Sequence, residues 1–229
     1  MPSISGQSSQ HLAAKLLAHL CGFAPENLID QLTSACTRFA EACADLTLGY
    51  DLLRRLDEQP NLAGQLSKCW IASEFSLDHH CRDVKAFLSL IDSGDLHRSY
   101  YPLDDSLDQP LEKFLALNSD PSSSADNFSS VYQEQLHNKI DTELGGEKLG
   151  GEKVGGEEVG GEEVGDKVEE KLLPLLRCYR QREMQRIIWR DLNRLSNMQE
   201  TTLDLSLLAG SCVDEALTVI HAHMAEQYG

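Results

Sequence analysis

Apolar residues return every three or four positions along most of this chain, and that period commits it to helices. In residues 9–22 the sequence SQHLAAKLLAHLCG sets Leu12, Leu16, Leu17 and Leu20 at helical spacing, with Gly22 placed to end the helix. A second helix is expected to open at Pro25. Its stripe of Leu28, Leu32, Cys36, Phe39 and Cys43 continues through Leu52 and Leu56 after an expected break near Gly49. Residues 60–80 suit a third helix, with Pro60 in its first position and Leu62, Leu66, Cys69, Trp70, Ser73 and Leu77 sharing a side. Aromatic residues make up only 6% of the 229, while leucine and alanine abound, a balance that favours packed helices over a β-sandwich. The expectation is an all-α protein.

Net charge of -17 with a pI near 4.7 repels nucleic-acid phosphate, so no nucleic-acid partner is expected. The seven cysteines form an odd set with no C-x-x-C pair, which fits reduced, mostly buried thiols. Cys36 and Cys43, seven residues apart on one apolar face, read as core thiols and not as metal ligands. The triplet His79, His80, Cys81 invites a zinc reading, but adjacent helical residues point about 100° apart and do not converge on one ion, so a solvated helix end is expected. His221 and His223 face different ways for the same reason. Residues 1–10 contain no Lys or Arg, so they do not read as a secretory signal. No run reaches the ~18 apolar residues of a membrane span. A cytoplasmic protein with no membrane partner is expected.

The middle of the chain changes character. An N-terminal helical region is expected over residues 1–117, including a loop at HRSYYPLDDSLDQP and a short helix through Leu111, Phe114, Leu115 and Leu117. NSDPSSSADNFSS, residues 118–130, reads as a polar linker with too few apolar groups to offset the entropy of ordering it. A helix over 131–144 leads into the repeat GGEKL, GGEKV, GGEEV, GGEEV and a shortened GDKV. Glycine pairs beside lysine resemble a phosphate-cradling loop. That loop occurs once, between a strand and a helix, whereas nothing upstream reads as a strand and every full unit carries glutamate. A period of five matches neither strand nor helix, and two glycines in five oppose helix formation by about 1 kcal/mol each. Residues 145–166 are therefore expected to be a flexible acidic tether.

Residues 167–229 carry the sharpest signal. Leu176, Tyr179, Met184, Ile187, Ile188 and Leu195 fit one side of a helix from Leu175 to Leu195, and six arginines between Arg177 and Arg194 occupy much of the remainder. Against Glu183 and Asp191 they give +4 over residues 177–194, a local reversal of sign in an acidic chain. Two readings stand. The arginines form a solvated face with pairs such as Glu183–Arg186 and Asp191–Arg194, worth ~0.2–0.5 kcal/mol each, or a surface for a carboxylate-rich or phosphorylated partner. A second helix is expected from Ser196, with Ser196 and Gln199 as a capping box. Its stripe of Ala209, Val213, Ala216, Leu217, Ile220 and Met224 is expected to pack on the arginine helix, making an antiparallel hairpin.

The segment LRCYRQREMQRIIWRDLNRLSNMQETTLDLSLLAGSCVDEAL, with its R-x-R-E-M-x-R-I-x-W-R-D-L core at Arg180 to Leu192, resembles the bacterial glutamine synthetase adenylyltransferase and adenylyl-removing enzyme family. ASEFSLDHHCRDVKAFLSLIDSGDL is similar to an earlier segment of the same family, an S-[DE]-F element followed by a helix and a G-x-L ending. The resemblance implies an enzyme that adds AMP to, or removes it from, a tyrosine of glutamine synthetase under a nitrogen-signalling regulatory protein. It implies Mg²⁺ and ATP or AMP bound by a catalytic nucleotidyltransferase domain through a G-x-G-K-L-G-G-x-E-L loop and an S-D-x-D motif. Neither motif is present, and EKLGGE precedes the arginine helix with Glu147 where the loop has glycine. The expectation is a truncated or split product that is inactive alone, with no cofactor, no metal and no catalytic residue of its own. Arg180, Arg182, Arg186 and Arg190 are its candidates for contact with a partner or with that domain. The alternative is a stand-alone helical interaction protein that binds an acidic partner through the arginine helix.

Overall fold

In a computed structural model the described residues are 4–43, 45–100, 126–144 and 162–228. Among them there is no strand, and the all-α reading holds. The helices are α1 (Ile4–Leu20), α2 (Ile29–Ala42), α3 (Leu46–Glu58), α4 (Pro60–Ala72), α5 (Glu74–Arg82), α6 (Val84–Asp92), α7 (Asp126–Leu144), α8 (Glu162–Leu192) and α9 (Met198–Tyr228), with short 3₁₀ turns at Cys21–Phe23, Glu26–Leu28 and Asp95–His97. The expected helix at 111–117, linker residues 118–125 and repeat residues 145–161 lie outside the described residues. α7 starts at Asp126, inside the expected linker, and α8 starts at Glu162, inside the expected tether. α8 also runs through Pro174 and ends at Leu192, whereas the expected helix spans Leu175 to Leu195.

By compactness the chain divides into two units, Met1–Arg98 with Gln185–Asn197, and Ser99–Met184 with Met198–Gly229. In the first, the predicted stripes meet: Leu12, Leu16, Leu32, Cys36, Phe39, Leu52, Leu66 and Trp70 form one buried core that also takes in Trp189 from α8. Phe39 lies 5.0 Å from Trp70 and edge-on to Phe87, the aromatic centre of that core.

Three side chains set the helix boundaries that periodicity misplaces. The expected helix over 60–80 is two helices because the Ser73 hydroxyl accepts from Ser76 N–H at 3.1 Å, capping α5. Asp45 accepts from Thr47 N–H and starts α3, and Asp83 accepts from Ala86 N–H and starts α6. The break therefore falls at Asp45 and not at Gly49, which sits inside α3. A Cβ on Gly49 would meet Leu12 Cδ2 at 2.2 Å, so the glycine is there for close helix approach. Beyond α6, Gly94 takes φ 73°, the left-handed end that glycine permits. Arg55 closes α3 on α6 with a two-pronged bond to Asp92, at 2.7 and 2.6 Å, and this holds the Asp92 carboxyl below its usual range.

His80 corrects the expectation of a solvated helix end. It is fully buried, stacks on Phe87 at 3.7 Å and accepts a hydrogen bond from the Trp70 indole N–H at 3.0 Å. Cys36 and Cys43 follow the core-thiol reading, and burial pushes Cys36 and Cys69 up to about 12; all seven cysteines are free, but Cys21, Cys81 and Cys212 are half-buried and Cys178 is exposed, fewer buried thiols than expected.

In the second unit α7 packs against α9. The face that α9 buries holds Leu203, Leu207, Leu208 and Val219 with Glu200, Asp204, Ser211 and Glu215. Val213, Leu217, Ile220 and Met224 are exposed instead of covered, which corrects the expected hairpin packing. The reason is that Glu200, Asp204 and Glu215 have dedicated partners inside the unit, and those contacts decide the rotation of the helix.

Two outcomes test this packing. Gly49→Ala is expected to destabilise the chain by about 1–3 kcal/mol despite alanine's better helix propensity, and Leu12→Ala should make the added methyl nearly neutral, as read by urea unfolding of the double-mutant cycle. Burial pushes His80 down to about 3, whereas an unfolded histidine titrates near 6.5. Between those limits the unfolded chain binds a proton that native His80 refuses. Its stabilisation is therefore full above pH 6.5 and falls with pH below it, by about 1 kcal/mol per pH unit. His19 runs the other way: its bonds to the Lys15 carbonyl and Asp57 raise its pKa, so its smaller, exposed contribution is present at low pH and lost as pH rises. Urea midpoints of His80→Gln between pH 6.5 and 4.5 should show a pH slope shallower than wild type by about one proton.

Candidate functional site

The motif at Arg180 to Leu192 lies on α8, and its faces are not divided as its charges suggest. Tyr179, Glu183, Arg186 and Arg190 recur at spacings of four, three and four, which is one side of a helix, and all four are buried. Sequence reasoning puts arginine outside because a guanidinium loses hydration on burial. What draws two of them inward is backbone. After the turn Asp95–His97 the chain leaves extended at Arg98, and the carbonyls of such a segment need donors once it is packed. Arg190 Nη1 donates to the His97 carbonyl at 2.8 Å, and Arg186 Nη1 donates to the Arg98 carbonyl at 3.1 Å.

Arg190 has a second task. Its Nη2 donates to the Leu195 carbonyl at 3.0 Å, within the turn that ends α8. In that turn Leu195 N–H returns to the Arg190 carbonyl at 2.8 Å and Arg194 N–H to the Asp191 carbonyl at 3.0 Å, with Arg194 at φ 57°. This is the six-to-one and five-to-two closure of a Schellman turn with arginine where glycine is usual. α9 then begins at Met198, two residues after the expected start. One planar guanidinium fork thus joins the strand-like stretch after α6 to the end of α8. Trp189 beside it fills the core, and Asn193 Nδ2 donates to the Trp189 carbonyl at 3.0 Å. Burial and the nearby Arg190 charge together push His97 down.

The remaining arginines differ. Arg177, Arg180 and Arg194 are exposed, and Arg182 is half-buried. Of the four predicted contact residues, the structure therefore places Arg186 and Arg190 in an internal clamp and leaves Arg180 on the surface. For the buried pair neither a solvated face nor an open anion-binding surface describes the site.

The second unit holds a set of buried acids that sequence reasoning does not find. Glu183 accepts from the Tyr100 hydroxyl at 3.2 Å, Glu200 from Ser99 at 2.7 Å and Asp204 from Tyr132 at 2.6 Å, and Glu215 pairs with His137 Nδ1 at 2.8 Å. Tyr179 closes the network by donating to the Tyr132 carbonyl at 3.1 Å. These bonds are charge-assisted and fix side chains 72 to 101 residues apart in sequence. No local spacing signals them. Among the described residues no three His, Cys, Asp or Glu side chains are grouped to hold a metal ion, so the acids do not fit the Mg²⁺ that the family resemblance implies. No helix among the described residues is long and apolar enough to cross a membrane. The arrangement positions helices.

Comparison with known proteins falls on this same part of the chain. The family model of glutamate-ammonia ligase adenylyltransferase matches residues 161–229. Curated relatives are bifunctional glutamine synthetase adenylyltransferase/adenylyl-removing enzymes. That of Hahella chejuensis is 51% identical over 61 residues, that of Pseudomonas aeruginosa 46% and that of Shewanella woodyi 34% over the same length. Each match covers 27% of this chain and 6% of the relative, so the chain is similar to a small part of these enzymes. No solved structure matches.

If the clamp is structural, Arg190→Ala should cost about 2–4 kcal/mol, because it removes a buried side chain and strips two part-buried carbonyls of their donor. Arg190→Lys should recover only part of that, since an ammonium lacks the fork. Arg180→Ala should stay within about 0.5 kcal/mol of wild type in the same urea titration.

Proposed function

We propose that this chain is a non-catalytic helical part of a glutamine synthetase adenylyltransferase/adenylyl-removing enzyme, whose role is to buttress the nucleotidyltransferase portion. The observation that carries the reading is the R-x-R-E-M-x-R-I-x-W-R-D-L segment, the most specific point of resemblance and part of the matched region. Its Glu183, Arg186, Trp189 and Arg190 are engaged inside the fold and present no group to a substrate. A segment built in this way holds its neighbours in place and leaves chemistry elsewhere.

On this reading the partners are the nucleotidyltransferase portion itself, glutamine synthetase as the substrate of the assembled enzyme, and a nitrogen-signalling regulatory protein. Mg²⁺ and ATP or AMP would supply two-metal phosphoryl chemistry in that other portion. The contribution of this chain is rigidity: a clamped helix end and a hydrogen-bonded set of acids that keep α8 and α9 from sliding. The exposed Arg177, Arg180 and Arg194 favour a second reading, a stand-alone module that captures an acidic partner. Burial of Arg186 and Arg190 removes half of the surface that reading first relied on.

Mixing the purified chain with the separately expressed remainder of the Hahella chejuensis relative is expected to restore release of AMP from adenylylated glutamine synthetase. Absence of any association at micromolar concentration would overturn the proposal. Capture of an acidic peptide lost in Arg177→Glu/Arg180→Glu/Arg194→Glu, with no association to the remainder, would select the second reading.

A further inference from the structure

We draw no further inference here: the strongest candidate, the exposed apolar stripe of α9 formed by Val213, Leu217, Ile220 and Met224, carries none because nothing in the structure shows what covers it.

Discussion

The buried guanidinium of Arg190 is the contact on which the first unit's closure depends. The stretch after α6 has left regular structure, so its carbonyls have no helical donor, and the turn after α8 has the same deficit. Arg190 satisfies one carbonyl in each, at His97 and Leu195, while Arg186 satisfies the next, at Arg98. Burying an arginine is costly in itself. The cost is offset here by donors supplied to three part-buried carbonyls, beside an indole, Trp189, that the core needs. Everything specific about the motif follows from this exchange: the tryptophan supplies apolar volume, and the arginines supply the donors that let backbone lie against it.

The second unit solves a related problem with acids. Glu183, Glu200, Asp204 and Glu215 are buried on helices whose leucines alone would leave the rotation of α9 loosely set. Apolar packing is non-directional, whereas a carboxylate that must meet a particular tyrosine or serine accepts one register. Tyr132 illustrates this, since its hydroxyl donates to Asp204 while its carbonyl receives the Tyr179 hydroxyl, tying α7 to both α8 and α9. The consequence is a helix that buries carboxylates among its leucines and leaves Val213, Leu217, Ile220 and Met224 exposed. The residues that choose the register also choose what is left exposed.

Much of the first unit was legible without coordinates. Leu12, Leu32, Phe39, Leu52, Leu66 and Trp70 were identified as core from spacing alone, because a long apolar stripe has only one favourable place to go. Boundaries were less legible. Ser73 was read as one more position on a helical face, and it is the cap that divides that helix, since a serine side chain bonds to backbone only when the local φ and ψ allow it. His80 was assigned to solvent by its neighbours His79 and Cys81, but its environment is set by Phe87 and Trp70. Arg186 and Arg190 were placed outside by their charge, which is the usual outcome and fails when distant carbonyls need donors.

The sequence by itself determined the class of structure, through a 3.6-residue apolar period, and the likeness of its last third to one enzyme family, through a run of thirteen residues. Both are local properties, readable along a single helix. Tertiary structure decided which side of α9 faces inward and which arginines are clamps. Those outcomes depend on hydrogen bonds between residues 72 or more apart, such as Tyr132 with Asp204 or Arg190 with His97. No window of sequence contains both ends of such a bond.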